Sequence, residues 1–187
     1  MKIVLATTAK HKSEILRNAG IPHSCRKGIF DELKNIEDPK ERAIRNAIGK
    51  AKSVISSSGE IIIGLDTFVV FENEIFEKPM NEQQAKQRLK RMSNRTNHVL
   101  TGICVIDTRT NKEYTSYAIT NVTFNQISND VINAYIQNEP FFMDSTGYII
   151  EHMLSCFINK IEGEYYNILG VPCTKIYQIL ASIGFSF

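Results

Sequence analysis

The hydrophobic and polar positions at the start of the chain predict a strand, a loop rich in hydroxyl groups and a helix. Residues 3–6 form a short apolar run, which is typical of a buried strand. In the segment "TTAKHKSEILRNAGI", an apolar stripe is formed by Ile15, Leu16 and Ala19. Gly20 stands where this helix is expected to end.

The segment "EDPKERAIRNAIGKAKSVISSSG" has the clearest helical pattern in the chain. Asp38 suits its N-cap and Pro39 its first turn, and residues 56–59 are expected to end it. The preceding residues 22–36 predict a strand that enters a polar loop. The apolar face of the helix consists of Ala43, Ile44, Ala47, Ile48, Ala51, Val54 and Ile55.

The middle of the chain predicts antiparallel pairs separated by helices. "EIIIGLDTFVVFENEIFEK" predicts a strand and a hairpin that turns near Glu72–Glu74. "MNEQQAKQRLKRMSNR" predicts a helix capped by Asn81, and "NHVLTGICVIDTRTNKEYTSYAITNVTFNQI" a long hairpin turning at Arg109–Lys112. The remaining predicted elements are a helix stopped by Pro140, short strands in "TGYIIEHMLSCFINKIEG", and a last helix from Pro172 to Gly184. This order predicts an α/β fold with a mixed sheet.

Composition narrows the class of protein. The chain has 187 residues, enough for a single domain with a sizeable core. Its net charge of +2 is too small to favour non-specific nucleic-acid binding. The charges of "AKQRLKRMSNR" alternate with apolar positions, which favours a solvated helix face over a nucleic-acid site. No stretch approaches the roughly 20 apolar residues of a membrane span. We therefore expect a cytoplasmic protein with four reduced, mostly buried cysteines.

The loop "ATTAKHK" is the first candidate for chemistry. A strand that feeds a helix through a short loop presents backbone N–H groups to an anion. Thr7 and Thr8 add hydroxyl donors, and Lys10, His11 and Lys12 add positive charge in the first turn of the helix. Cations there oppose the helix dipole unless an anion arrives. A solvated basic helix start is an equally good interpretation of this segment.

Asp66 is the second candidate, because it follows the apolar run "IIIGL". Carboxylates are rarely buried unless they are paired or bound to a metal, so we expect Asp66 at the end of a strand or the rim of a sheet. The alternative is that Asp66 caps a turn through Thr67. Asp31 and Glu32 add carboxylates in a polar loop, for which a solvated loop is the alternative.

Two lysines and a pair of tyrosines complete the candidates. Pro79 fixes the backbone beside Lys78, which is otherwise an exposed lysine before a turn. Lys50 borders an apolar helix face and either snorkels to solvent or points into a cleft.

Tyr165 and Tyr166 either pack under a base or, more commonly, fill a core. Gly147 and Gly170 suggest tight backbone. Carboxylates and lysines without a transition-metal set favour Mg²⁺ and phosphate chemistry.

Several segments occur in the order found in a known family, the Maf family of nucleotide pyrophosphatases. "LATTAKHKSEILRNAGI" resembles its "LAS-x-S-P-R-R-x-E-L-L" opening, "FDEL" its "DE" loop and "NAIGKAK" its "A-x-x-KA" helix. "GLDT…EKP" resembles "G-A-D-T…G-K-P", and "HVLTGI" resembles "H-x-V-x-T-G-V". "MDSTGYIIEH" resembles "D-K-A-G-x-Y-x-I-Q-G". "EGEYYNILGVP", the longest and most specific match, resembles "x-G-D-Y-Y-N-V-x-G-L-P".

This resemblance implies a fold, a reaction and a set of site residues. The implied fold is an elongated mixed β-sheet flanked by helices, of the inosine-triphosphatase-like type, with a nucleotide in a cleft between two lobes. A single domain over residues 1–187 would cut a nucleoside triphosphate to a monophosphate and pyrophosphate, with Mg²⁺ or Mn²⁺, as a homodimer. Such activity clears unwanted nucleotides, a house-cleaning role. The implied roles are Asp66 as catalytic acid–base and metal ligand, Glu32 as metal ligand, and substrate contacts from Thr7, His11, Lys12, Lys50 and Lys78.

Two of the three residues that the resemblance associates with base preference, His11 and Glu151, depart from the commonest family pattern. The resemblance places selectivity at His11, Thr67 and Glu151. Thr67 resembles the subgroup acting on dTTP and UTP, Glu151 is nearer the subgroup acting on a methylated guanine nucleotide, and His11 resembles neither. Two alternatives remain. One is the sister family that hydrolyses inosine and xanthosine triphosphates, and the other is a nucleotide-binding regulator with weakened catalysis.

Overall fold

The computed structural model describes residues 1–140, 142–145 and 148–187. They group into two compact units. The first unit comprises Met1–Thr67, Leu100–Ile119 and Glu164–Phe187, and the second comprises Phe68–Val99 and Thr120–Gly163. The expectation of a single domain over residues 1–187 stays a prediction.

Seven strands of the described residues form one sheet with the order β2-β1-β3-β5-β6-β7, and β4 pairs with β3. β1 is parallel to both β2 and β3, whereas β4 is antiparallel to β3 and β7 is antiparallel to β6. The sheet is therefore mixed, which confirms the predicted α/β class. The strands are β1 (Lys2–Leu5), β2 (Ser24–Cys25), β3 (Glu60–Phe71), β4 (Glu74–Phe76), β5 (Thr96–Asp107), β6 (Lys112–Phe124) and β7 (Ile158–Glu162).

The longer helices lie at the predicted positions, and two predicted caps are present, whereas the short helix at Tyr165–Ile168 was not predicted. Asp38 accepts hydrogen bonds from the N–H groups of Lys40 and Glu41, and Asn81 accepts one from Gln84. The helices are α1 (Lys10–Asn18), α2 (Pro39–Lys52), α3 (Glu82–Met92), α4 (Asn129–Asn138), α5 (Tyr165–Ile168) and α6 (Cys173–Ser182), with 3-10 turns at Phe142–Asp144 and Met153–Phe157. Within the described part of the chain, no helix has the length and apolar character needed to cross a membrane.

Some predicted boundaries are wrong for local reasons. α2 ends at Lys52 because the Ser53 hydroxyl donates to the Lys50 carbonyl and caps it, so Val54 and Ile55 follow the helix. Residues 153–157 form a 3-10 turn rather than a strand, since Leu154 alone among them is buried and the alternation of a strand is missing. The predicted tight backbone at Gly147 lies outside the described residues.

The cysteines are free, as expected, but they are not mostly buried. Cys25 is exposed on the two-residue strand β2, and Cys156 is exposed on a 3-10 turn. Cys104, in the middle of β5, is buried, and Cys173 is intermediate. The expectation failed because both residues of the short strand β2 are exposed and the 3-10 turn buries Leu154 instead of Cys156.

In the first unit, hydrophobic side chains are buried on both faces of the sheet. Alternation along β3 sends Ile61, Ile63 and Leu65 to one face, where they pack with residues of α1 and α6. Ile62 points to the other face and packs with Ala47 and Ala51 of α2. The same alternation places residues 64 and 66 on the face that α2 covers.

Gly64 lets α2 lie unusually close to β3. A Cβ atom at this position would lie 2.8 Å from the backbone nitrogen of Ala51 and would also overlap the carbonyl oxygen of Ala47. Both partners are helix backbone, which cannot move aside as a flexible side chain can. The missing side chain therefore fixes the distance between α2 and β3 beside residue 66.

Candidate active site

Asp66 lies inside β3, not at the end of a strand as the sequence predicts. The strand continues to Phe71 because Phe68, Val69 and Phe71 extend its apolar pattern. Thr67 is also part of the strand, so the alternative role of Asp66 as a turn cap is wrong as well. β1 pairs with β3 only as far as Ile63, and Asp66 lies just beyond the point where that parallel neighbour ends.

The Asp66 carboxylate is 5% exposed and is held by two side chains of α2. The Lys50 ammonium donates to its Oδ1 at 2.5 Å, and the Asn46 amide nitrogen donates to its Oδ2 at 3.1 Å. Each carboxylate oxygen thus has its own donor, which fixes the orientation of the group. A buried carboxylate with a charged partner meets the condition under which such groups persist in proteins.

Lys50 joins Asp66 to Glu32, which lies in the loop before α2. The Lys50 ammonium is 2.7 Å from Glu32 Oε1 as well as 2.5 Å from Asp66 Oδ1. Burial disfavours the charge on Lys50, but the attraction and hydrogen bonds of Asp66, followed by those of Glu32, outweigh it and raise its pKa. Lys50 therefore stays charged. Its ammonium group contacts the two carboxylates, so the alternative that it snorkels to solvent is wrong.

The loop that carries Glu32 is attached to α2 by two residues that the sequence analysis missed. The Leu33 N–H donates to the side-chain oxygen of Asn46 at 2.8 Å, and Arg42 Nε donates to the Leu33 carbonyl at 2.9 Å. Arg42 and Asn46 are both buried. A signal was present in the sequence, because residues 42, 46 and 50 are polar and recur every four positions along a strongly amphipathic helix.

Gly170 brings Lys12 and Thr67 together. Its φ angle is +76°, and a Cβ atom there would lie 2.9 Å from both the Lys12 ammonium and the Thr67 hydroxyl oxygen. Thr67 in turn exchanges a hydrogen bond with the buried hydroxyl of Thr101 at 3.0 Å. The predicted tight backbone at Gly170 is confirmed, and it lies beside two of the predicted site residues.

Lys12 is a partly buried cation whose charge the fold disfavours. Burial, followed by the positive charge of Lys50, lowers the pKa of Lys12 to about 8, against the opposing pull of Asp66 and Glu32. A bound polyanion would offset both of the unfavourable effects. Lys12, Lys50, Glu32 and Asp66 therefore form one electrostatic cluster, which we call the acid–lysine cluster.

The start of α1 adds to the positive potential of the first unit. The helix begins at Lys10 with Ala9 as its N-cap, no side chain caps it, and its first turn contains no acid. His11 is exposed in that turn, and the Thr7 hydroxyl accepts a hydrogen bond from the Ala9 N–H at 3.1 Å. The anion-binding character of this loop stays a prediction.

The remaining predicted residues lie in other environments. Lys78 and Glu151 belong to the second unit, where both are exposed, and their part in the site stays a prediction. Tyr165 and Tyr166 of the first unit are 42% and 47% exposed and contact each other edge to face. The expectation that they fill a core is wrong, because the four-residue helix α5 buries Asn167 instead.

Lys12→Met is expected to raise the free energy of unfolding by about 1–3 kcal/mol near pH 7, because it removes a charge that the folded state disfavours. The penalty is complete below the folded pKa of about 8 and fades as the pH rises towards 10.5, the ordinary value. Urea unfolding at pH 7 and pH 10 measures this gain, which should shrink at the higher pH. Lys10→Met, at an exposed position of the same turn, is the control, and equal stability of the two variants would contradict the prediction.

Known proteins of one family resemble this chain over almost its whole length. A family model described as Maf-like protein matches residues 2–183. The dTTP/UTP pyrophosphatase of Alkaliphilus oremlandii is 39% identical over 184 residues, which cover 96% of this chain and 94% of that protein. Those of Clostridioides difficile and Clostridium novyi are 35% and 36% identical, covering 96% and 98% of this chain and 94% and 98% of the respective proteins.

A solved structure of a HAM1 protein from Coxiella burnetii is also similar, with a TM-score of 0.43 and 16% identity, over 66% of this chain and 73% of that chain. The family match spans almost the entire sequence and includes every residue of the acid–lysine cluster. The chain therefore belongs to the family of Maf-like proteins.

Proposed function

We propose that this protein is a nucleoside triphosphate pyrophosphatase that hydrolyses dTTP and UTP to the monophosphate and pyrophosphate. Membership of the Maf-like family and three relatives of 35–39% identity with the name dTTP/UTP pyrophosphatase support this function. The observation that carries the proposal is the acid–lysine cluster, in which the buried carboxylate of Asp66 pairs with Lys50 and interacts electrostatically with Lys12, just beyond the end of a parallel strand pair.

Asp66 is the proposed base for the attacking water. Water attacks the α-phosphorus, the bond between that phosphorus and the α,β-bridging oxygen breaks, and pyrophosphate leaves with the bond's electron pair. Asp66 accepts the proton that the water loses. The donors Lys50 and Asn46 hold the carboxylate in one orientation, which fixes where that proton is accepted.

The lysines are proposed to bind the triphosphate as point charges. Lys12 and Lys50 lie in the acid–lysine cluster, and Lys78 joins them in the proposal through the family resemblance. Charge that spreads over the phosphate oxygens in the transition state is stabilised by cations fixed in advance. Thr7 and His11, at the start of α1, are proposed as further contacts to the phosphates or the nucleoside.

A divalent cation, Mg²⁺ or Mn²⁺, fits the donor set. No group of three or more His, Cys, Asp or Glu side chains suited to a metal occurs among the described residues. Mg²⁺ is often bound by one or two carboxylates together with substrate phosphates, and Glu32 and Asp66, joined through Lys50, supply two. When bound, such a cation neutralises phosphate charge and helps to orient the water.

Base preference is proposed to depend on Thr67, His11 and Glu151. Thr67 carries a hydroxyl whose direction is restrained by its hydrogen bond to Thr101. Glu151 accepts hydrogen bonds but cannot donate them, unlike the glutamine common in the family, so the two would select different base edges. The names of the relatives favour thymine and uracil over other bases.

A nucleotide panel tests the proposed function. Purified protein with Mg²⁺ is given dTTP, UTP, CTP, 7-methyl-GTP, ITP or XTP, and pyrophosphate release is measured. We expect kcat/KM for dTTP and UTP to exceed that for ITP and XTP by at least about 100-fold, because a site that hydrogen-bonds a pyrimidine would leave its buried polar groups unpaired with a purine. Preference for ITP would instead support the sister family, and tight triphosphate binding without release would support a regulator.

The assembly and location are proposals of the same kind. We propose a homodimer in the cytoplasm that removes unwanted nucleotides and has neither nucleic acid nor membrane as a partner. The family resemblance supports the homodimer and the house-cleaning role, and the modest net charge of +2 supports the absence of a nucleic-acid partner. Sedimentation of the purified protein measures the oligomeric state directly.

A further inference from the structure

Asn46 occupies a central position in the acid–lysine cluster although no motif pointed to it. Its side chain is 1% exposed, which makes it more deeply buried than either Arg42 or Lys50 on the same helix. The side-chain oxygen accepts the Leu33 N–H at 2.8 Å, and the side-chain nitrogen donates to Asp66 Oδ2 at 3.1 Å and, at a longer 3.4 Å, to the Leu33 carbonyl. One amide group thus contacts both the loop before α2 and the strand β3.

The residues one turn before and one turn after Asn46 along α2 also contact the loop that carries Glu32, and the later one contacts Asp66 of β3 as well. Arg42, Asn46 and Lys50 are four residues apart, so their side chains share one helix face. Arg42 holds the carbonyl of Leu33, and Lys50 contacts Glu32 and Asp66. The peptide group of Leu33 is therefore held at its carbonyl by Arg42 and at its N–H by Asn46, directly beside Glu32.

An amide is the side chain that satisfies both contacts of residue 46. The Leu33 N–H needs an acceptor, and the ionised Asp66 carboxylate needs a donor. Asparagine supplies one of each, an aspartate supplies only the acceptor, and a leucine of similar volume supplies neither. Because the position is fully buried, water cannot replace a lost partner without a change of structure.

We propose that Asn46 is a positioning residue, whose amide ties the loop carrying Glu32 to the carboxylate of Asp66 so that both acids keep one fixed separation. This inference rests on the proposed function, because it takes Asp66 and Glu32 as the reacting and metal-binding acids. It adds a residue that neither the sequence motifs nor the names of the relatives indicate.

Asn46→Leu tests the proposal against a matched control, Asn97→Leu. Asn97 is also fully buried and makes two side-chain hydrogen bonds, to Val122 and Tyr148, but it belongs to the second unit. We expect Asn46→Leu to speed amide hydrogen exchange at Leu33, as followed by NMR. We also expect it to weaken Mn²⁺ binding in calorimetry and lower kcat, each by about 10- to 100-fold, the usual effect of removing an outer-shell partner.

The Asn97→Leu control is expected to lose stability but to keep the exchange rate at Leu33, the Mn²⁺ affinity and kcat of the original protein. KM for dTTP should change little in Asn46→Leu, by about threefold at most, because the lysines that bind phosphate are untouched. A purely structural role for Asn46 would leave Mn²⁺ affinity and kcat of Asn46→Leu as little changed as those of Asn97→Leu, which would overturn the proposal.

Asn46→Asp separates the contact to Leu33 from the contact to Asp66. It is also the variant to measure if Asn46→Leu does not fold. Its carboxylate still accepts the Leu33 N–H, so exchange at Leu33 should stay slow, while the lost donor and the added charge beside Asp66 should lower kcat. Wild-type kcat in this variant would overturn the proposal, as would wild-type Mn²⁺ affinity in Asn46→Leu. If the original protein released no pyrophosphate from any nucleotide, the proposed function would fail, whereas the exchange and Mn²⁺ measurements would still decide the role of Asn46.

Discussion

Asp66→Asn is expected to lower kcat for dTTP by about 10²- to 10⁴-fold, the usual contribution of a general base. The amide cannot accept a proton from water at neutral pH. It also cannot accept both of the hydrogen bonds that Lys50 and Asn46 now donate, because only one of its two terminal atoms is an acceptor. Steady-state pyrophosphate release at saturating Mg²⁺ measures the effect. KM should change less than kcat, since Lys12 and the other cations remain.

The control for this variant is Asp107→Asn. Asp107 is another buried acid of the first unit, 3% exposed, and it pairs with Arg109 at the end of β5. Its replacement should lower stability and leave kcat unchanged. If Asp66→Asn kept kcat within about tenfold of the original protein, a smaller loss than a general base causes, Asp66 would not be the base.

Lys50→Met is expected to lower both activity and stability. Without the ammonium, Asp66 remains buried beside an apolar side chain, and breaking such a pair costs about 3 kcal/mol in the free energy of unfolding. The loss of a fixed cation beside the phosphates should lower kcat by about 10²- to 10³-fold. Urea unfolding and pyrophosphate release measure the two effects on the same preparation.

Lys52→Met is the matched control on the same helix. The Lys52 side chain is 58% exposed and its ion pair with Glu113 is on the surface, so its loss should cost less than about 1 kcal/mol and leave kcat unchanged. The double variant Lys50→Met/Asp66→Asn should regain stability relative to Lys50→Met, because the unpaired charge is gone, while staying inactive. Equal stability of Lys50→Met and Lys52→Met would refute the electrostatic role of Lys50.

The predicted elements were largely correct because their signals are local. The Asp38 and Asn81 caps, the helix before Pro140 and the long hairpin that turns at residues 109–112 appear where the sequence places them. Capping, turn chemistry and hydrophobic periodicity act over a few residues, so the sequence contains them directly. The two errors have local causes. The Ser53 hydroxyl caps α2 at an earlier residue than predicted, and residues 153–157, with Leu154 as their single buried side chain, lack the alternation of a strand.

The sequence predicted some residues of the candidate site and missed others. Family resemblance pointed to Asp66, Glu32 and Lys50, and the structure brings these three together within hydrogen-bond distance. The position of Asp66 within a continuous strand was not predicted, because an acid in an apolar run is commonly a boundary signal. Asn46 was missed, since an asparagine on a helix has no motif and its role depends on what lies opposite.

The sequence by itself determined the strands, the helices with their caps and the Maf-like motifs in their order, all of which depend on neighbouring residues. Only the tertiary structure decided how the acids and lysines meet. Gly64 lets α2 approach β3 closely, and that approach places Asn46 and Lys50 against Asp66. The separation of two packed elements is set by side-chain volumes far apart in sequence, so it becomes known only when the chain is folded.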